Sequence, residues 1–169
     1  METWDAITSR RNVRSFEDRP IPDDALARIL EAGWRSPSSR NEQRWDLVVV
    51  TERERLQALS KVWRSAGHIG TSAATVALCA PDRPDSDGSI HYDLGQQTML
   101  MLLAAADLGI GSGHASVGDQ DLAREILGLP SDHLCAWLVA FGYPADRPLT
   151  PVRRPSRRPF DDVVHREAW

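Results

Sequence analysis

A chain of 169 residues is long enough for one domain with a real hydrophobic core and too short for two comfortable ones, so residues 1–169 are read as a single domain. With 41% hydrophobic and 26% charged residues the composition is that of an ordinary globular protein, and a net charge of -4 gives no global pull toward nucleic acid or an anionic membrane. No apolar run approaches the roughly 20 residues that span a bilayer. The first residues lack a signal-peptide pattern, and Cys79 and Cys135 lie in apolar runs as buried free thiols, so the expected location is the cytoplasm. The charge is unevenly spread: from Tyr143 to Trp169 six arginines face four acids, which makes that stretch +2 and leaves -6 for the remainder.

Helical spacing of Trp4, Ile7 and Thr8 predicts a first helix over Met1–Arg11, broken by Asn12–Asp18. A second helix begins at Pro22-Asp23-Asp24, with acids where the helix dipole favours them, and carries Leu26, Ile29, Leu30 and Trp34 on one face. The loop Ser36-Pro37-Ser38-Ser39 ends it. A short buried strand is expected at Asp46–Thr51, a helix at Glu52–Ser65 and a second strand at Thr75–Ala80. Asp82–Ser89 reads as a mobile polar loop. The strongest helix is Asp93–Leu108, apolar on every side from Met99 to Ala106, which belongs in a core or a subunit interface. Gly109–Gly113 is expected to break it. A short helix at Asp119–Leu127 stops at Gly128, and Leu134–Phe141 is the third strand. Four prolines (Pro148, Pro151, Pro155, Pro159) interrupt Ala145–Trp169, yet this tail ends in Phe160, Val163, Val164 and Trp169. It is an arm that wraps another subunit or a disordered extension.

Four segments carry candidate chemistry. Arg10, Arg11, Asn12 and Arg14 put three guanidinium groups and an amide at the end of a helix. Such forks match phosphate oxygens, although a solvated basic turn has the same composition. Ser36 to Trp45 gathers hydroxyls and amides that read the edge of a heterocycle or merely cap the preceding helix. Gly109-Ile110-Gly111-Ser112-Gly113 is no Rossmann turn, because it follows a helix rather than a strand. Its glycines instead allow close approach of backbone to a flat ligand. Arg153, Arg154, Arg157 and Arg158 form a second basic set. The five histidines show no metal spacing and no metal site is expected.

Taken in order, these segments resemble the nitroreductase family of FMN enzymes over nearly the whole chain. The match runs through the opening Arg-Arg-x-x-Arg, the Pro-Ser-Ser-x-Asn-x-Gln-x-Trp loop and the Asp-Leu-Gly helix leading into Gly-Ile-Gly-Ser. It continues through Phe-Gly-Tyr-Pro-Ala and ends on Arg-Arg-Pro-x-x-x-Val-Val-His. The resemblance implies an α+β fold with a central, mostly antiparallel sheet flanked by helices. It also implies a long central dimer helix and a C-terminal arm (145–169) exchanged between subunits of a homodimer. It implies FMN held by Arg10, Arg11, Asn12 and Arg14 at its phosphate and ribityl end and by Pro37, Ser38, Ser39 and Asn41, partly from the other subunit. Gly111, Ser112 and Gly113 would lie beside the ring, and Arg157 or Arg158 would meet the phosphate. Asn12 stands where the family usually has serine, and Pro155 where many members have lysine. The implied activity is hydride transfer from NAD(P)H through the flavin N5 to a nitroaromatic, quinone or similar small acceptor. That scheme requires no protein acid or base, so no catalytic residue is assigned. A flavin store or sensor without turnover, and a specialised dehydrogenase or dehalogenase, are the alternatives.

Overall fold

The computed structural model describes residues 1–83 and 88–169. Residues 84–87, within the polar loop expected at Asp82–Ser89, lie outside the described residues. The architecture is α+β, with a four-stranded antiparallel sheet between two helical layers. Its strands are β1 (Asp46–Val50), β2 (Ala74–Pro81), β3 (Gly111–Ser116) and β4 (His133–Gly142), in the order β1-β2-β4-β3. The helices are α1 (Thr3–Ser9), α2 (Asp23–Trp34), α3 (Arg53–Leu59), α4 (Ser89–Asp107) and α5 (Gln120–Leu127).

The two central strands sort their side chains with the period of two that a pleat imposes. Val76 and Leu78 of β2, with Val139 and Phe141 of β4, point toward α2 and α4. Ala77 and Cys79, with Leu138 and Ala140, point toward α3 and α5. Both faces are covered, which is why these strands read as unbroken apolar runs. Cys79 and Cys135 are opposite each other in the ladder and buried. The hydrogen bond with Cys79, then burial, pushes the Cys135 thiol up, while the same bond pulls the Cys79 thiol down, and both side chains pack into the core beside α3 and α5. On the far side of β4, beyond the end of β3, the side-chain amide of Gln120 donates to the Cys135 carbonyl and accepts from its N–H, at 2.9 and 3.1 Å.

Three expectations need correction. Gly109–Gly113 does not simply break the chain after α4, because Gly111–Ser116 is the edge strand β3, paired with β4. Small residues and glycine carry little strand propensity of their own, and neighbours on both edges specify this one. On its outer edge Asn12 bridges Ser112 in parallel, and the Val13 N–H donates to the Ser112 carbonyl at 2.8 Å. The helix expected to reach Ser65 ends at Leu59. The Val62 carbonyl is taken by the N–H groups of Gly118 and Asp119, at 3.1 and 2.9 Å, so it cannot continue a helical ladder. Finally, α4 starts at Ser89 rather than Asp93, after Gly88 in the left-handed region. Its polar first turn gave no apolar periodicity to mark the start.

Two histidines, His68 buried and His114 half-buried, make stability pH-dependent. Burial, then the Arg14 guanidinium, holds His68 below the usual imidazole range. Burial, then Arg14 and Arg10, does the same for His114. In the unfolded chain both titrate near about 6.5. Below that pH the unfolded state takes up protons that the native state refuses, so stability falls as the solution is acidified from neutrality. The carboxylates of Asp107, hydrogen-bonded to the N-terminus, and Asp146, hydrogen-bonded to Arg11, are held low and act only at more acid pH. A thermal melt series should show Tm falling between about pH 7 and pH 5.5, with a shallower slope in His68→Gln. Parallel slopes would mean that His68 titrates normally.

Candidate functional site

A cavity of about 690 Å³ opens between the start of the edge segment, β3, β4 and the exposed side of α4. Its size is that of a cofactor pocket. Arg10 and Asn12 stand at one rim, where α1 gives way to extended backbone. Leu94, Gly95, Thr98, Met99 and Leu102 of α4 form a wall. Trp137 of β4 and His114 of β3 close the other side, their rings edge to face at 5.9 Å between centroids. The result is a flat apolar slot with a cationic rim.

The three guanidinium groups of this segment differ sharply in their partners. The Arg10 guanidinium makes no hydrogen bond or ion pair among the described residues and stands at the rim. Arg11, adjacent in sequence, turns away. Its Nη2 donates to Asp146 at 2.7 Å and to the Arg147 carbonyl at 2.6 Å. Arg11 therefore clasps the chain that leaves β4, just as the Ala145 N–H donates to Ser15. Arg14 lies behind His114. Its Nη1 donates to His68 Nδ1 at 2.9 Å, and Nη2 reaches the His114 carbonyl at 3.4 Å.

The loop of Pro37, Ser38, Ser39 and Asn41 is outside this cavity in the single chain. It is nevertheless tightly held. Asp93, buried in the first turns of α4, accepts from the Ser39 N–H at 3.0 and 3.1 Å and from its hydroxyl at 3.2 Å. Ser38 Oγ accepts the Gln43 N–H at 3.0 Å. Arg40, Asn41 and Gln43 all have positive φ, at 54°, 57° and 51°. Asparagine tolerates that region, whereas arginine and glutamine are strained there, and such strain persists only where surrounding contacts enforce it.

Gly111, Ser112 and Gly113 are buried and face inward. A Cβ on Gly113 would be 2.3 Å from the Val13 carbonyl oxygen, and one on Gly111 would be 2.7 Å from Val13 Cγ2. These glycines admit the Asn12–Val13 backbone rather than an open surface. Arg157 and Arg158 lie on the exposed tail, where, among the described residues, they donate to the nearby carbonyls of Ser156 and Asp162. Within one chain the structure thus brings Arg10 and Asn12 to the cavity, with Arg14 behind it. It does not bring the serine loop or the late arginines there.

The sequence reading missed Gly95, Thr98, Met99 and Trp137. Gly95 had a visible signal. Glycine inside a helix costs about 1 kcal/mol relative to alanine, and here nothing lies within 4 Å of where its Cβ would be. Packing within the chain does not require it, so the space above it is kept for something else.

No described residues cluster as a metal site, and no described helix is long and apolar enough to cross a membrane. Residues 7–82 match the model of the nitroreductase family. A chain of Archaeoglobus fulgidus, provisionally named NADH dehydrogenase/NAD(P)H nitroreductase, is 33% identical over 96% of both lengths. The NADH dehydrogenase of Thermus thermophilus is 30% identical, covering 90% of this chain and 92% of its own. A nitroreductase family protein of Clostridium difficile superposes over 100% of both chains with a TM-score of 0.87 and 24% identity. The sheet order, the rim arginines and this full-length likeness lead to one assignment: the chain belongs to the nitroreductase family.

Proposed function

We propose that this protein is an FMN-dependent NAD(P)H oxidoreductase that passes hydride to a small flat acceptor, a nitroaromatic or a quinone, and works as a homodimer. The carrying observation is the slot between α4 and Trp137, apolar along its walls, with the Arg10 guanidinium, unpartnered among the described residues, at its rim. Relatives support the chemistry: the FMN reductase [NAD(P)H] of Bacillus subtilis is 25% identical over 99% of this chain. The slot suits the group. An isoalloxazine ring needs an apolar bed, Gly95 leaves room for it, and a phosphate monoester needs charged donors that are not already used. When bound, FMN supplies the two-electron chemistry between nicotinamide and acceptor.

The residues of the chain bind, orient and exclude water. Arg10 takes the phosphate, and Asn12 takes the phosphate or ribityl hydroxyls. Arg14 adds a cation from behind His114 that favours negative charge on the ligand. Leu94, Leu102 and Trp137 keep the slot dry. The serine loop and one of Arg157 and Arg158 complete the site from a second copy. Several exposed large apolar side chains support that dimer: Trp4 and Tyr92 are each 71% exposed, Met99 and Leu100 of α4 are exposed, and Phe160 and Trp169 stand out on the tail. In this reading α4 is the central dimer helix, 145–169 is the exchanged arm, and 1–169 is one domain. The free buried thiols suit the cytoplasm.

The deciding experiment mixes the purified, flavin-loaded protein anaerobically with NADPH or NADH in a stopped-flow cell. Loss of the oxidised flavin band, followed by its return when a quinone or nitroaromatic is added, is expected. A bound flavin that neither nicotinamide bleaches would leave a flavin store instead. Arg10→Met should weaken FMN binding by about tenfold to a hundredfold, the value of a charged hydrogen bond or two. Fluorescence-quenching titration reads this directly, and an unchanged Kd would remove Arg10 from the site.

A further inference from the structure

Among the groups that the proposed chemistry leaves unused, His68 is the one built most firmly into its place. It is 7% exposed, on the short turn Gly67–Thr71, behind the cavity rather than in it. Its Nδ1 is 2.9 Å from Arg14 Nη1. Arginine has no acceptor and never loses its proton in a protein, so this contact exists only if Nδ1 carries a lone pair and the ring is neutral. The Arg14 Nη1 also lies 3.5 Å from Nε2 of the same ring and donates to the Ser65 carbonyl at 3.3 Å, and Nη2 has the His114 carbonyl at 3.4 Å. Both carbonyl contacts are longer than the bond to His68 Nδ1. The imidazole is thus the closest of the three acceptors that fix this guanidinium.

We propose that His68 is a positioning residue for Arg14: its neutral imidazole accepts the Arg14 Nη1 proton and thereby holds the guanidinium behind His114, at the back of the FMN site, and protonation of the ring releases it. The proposal rests on the reading above in which Arg14 acts on bound FMN. Burial, then the Arg14 guanidinium, favours the neutral form at rest. The Gly113 and Ser65 carbonyls oppose them, and His114 on β3 adds a smaller contribution on the side of Arg14. One edge of the ring lies over Gly113, where a Cβ would stand 3.3 Å from His68 Nε2 and Cδ2. An imidazolium would lose its acceptor lone pair and face Arg14 as a like charge. FMN affinity should then depend on a histidine that does not touch FMN.

The test is a set of FMN dissociation constants by fluorescence quenching from about pH 8 to pH 5, spanning an imidazole titration. Wild type is compared with His68→Gln, whose amide oxygen accepts the same proton without titrating. The FMN phosphate titrates identically in both, so the ratio of the two constants isolates His68. Near neutrality the ratio should be close to one, and toward the acid end wild type should bind about tenfold more weakly than the glutamine variant. A ratio that stays flat across the range overturns the proposal. His68→Leu removes the acceptor outright. It should weaken FMN by about tenfold at neutral pH in the native background and have no effect once Arg14→Met is already present. Equal losses in both backgrounds would mean that His68 acts by packing alone. Arg14→Met by itself separates the two readings: if it leaves FMN binding unchanged, Arg14 does not act on bound FMN and the premise fails, whatever the pH series shows.

Discussion

Gly113→Ala should lower the thermal midpoint by about 6–12 °C, the shift expected for a loss of about 3 kcal/mol in a chain of this size. The new methyl group would be 2.3 Å from the Val13 carbonyl oxygen, and a backbone atom on a paired edge cannot swing aside as a side-chain tip does. Val13 is fully buried, and its N–H is bonded to Ser112, the residue next to Gly113. Relief requires the edge segment to lift from β3, which breaks that bond and opens the core beneath Val13. Gly118→Ala gives the contrast. There the added carbon meets Trp63, at 1.8 Å, but this side chain is 39% exposed and can move outward. Its cost should be well under half that of Gly113→Ala. Because the edge segment also carries Asn12 and Arg14, Gly113→Ala should weaken FMN binding as well as the fold. Differential scanning fluorimetry of the two variants, with and without FMN, checks both statements. A midpoint for Gly113→Ala within 2 °C of wild type, in about the range of a surface change, would show that the edge segment is not held as described.

Much of the fold was legible because its signals are local. Asp119 accepts the Leu122 N–H and Gly128 has φ 66°, so both ends of α5 were marked by residues whose conformational preferences point to helix ends. The apolar runs of β2 and β4 announced themselves because both faces of the sheet are covered. What stayed hidden is specified from elsewhere in the chain. Nothing in Gly-Ser-Gly-His-Ala-Ser favours a strand, and β3 exists because β4 and the Asn12–Val13 backbone pair with it from either side.

The site divides along the same line. Arg10 and Asn12 could be picked out as a cluster of donors, since composition alone shows that charge is concentrated there. The different fates of Arg10, Arg11 and Arg14 could not. They depend on Asp146 and His68, which are 135 and 54 residues away from their partners in the chain. Trp137, Thr98 and Met99 were invisible for another reason. A residue that lines a pocket and one that fills a core look alike in periodicity, and only the completed sheet and helix show which side faces empty space.

Gly95 offers the sharpest test of the cavity, because two substitutions there should move stability and binding in opposite directions. Gly95→Ala adds a methyl group to the middle of α4 where nothing lies within 4 Å. The helix gains the roughly 1 kcal/mol by which alanine exceeds glycine, so the flavin-free protein should melt about 2–4 °C higher. The same methyl group protrudes into the slot and should weaken FMN. Gly95→Phe takes this to its limit. A benzyl group on that wall occupies the space between α4 and Trp137 and should abolish FMN capture, a loss of more than about a hundredfold, while its Cβ has nothing within 4 Å to displace and the fold should survive. The phenylalanine variant should purify colourless while keeping the native circular dichroism spectrum. Light scattering then separates the two roles that the empty space could serve. A colourless dimer means that the glycine leaves room for the flavin, whereas a colourless monomer means that it leaves room for the second chain. A yellow protein with a full complement of FMN would place the flavin somewhere other than beside α4.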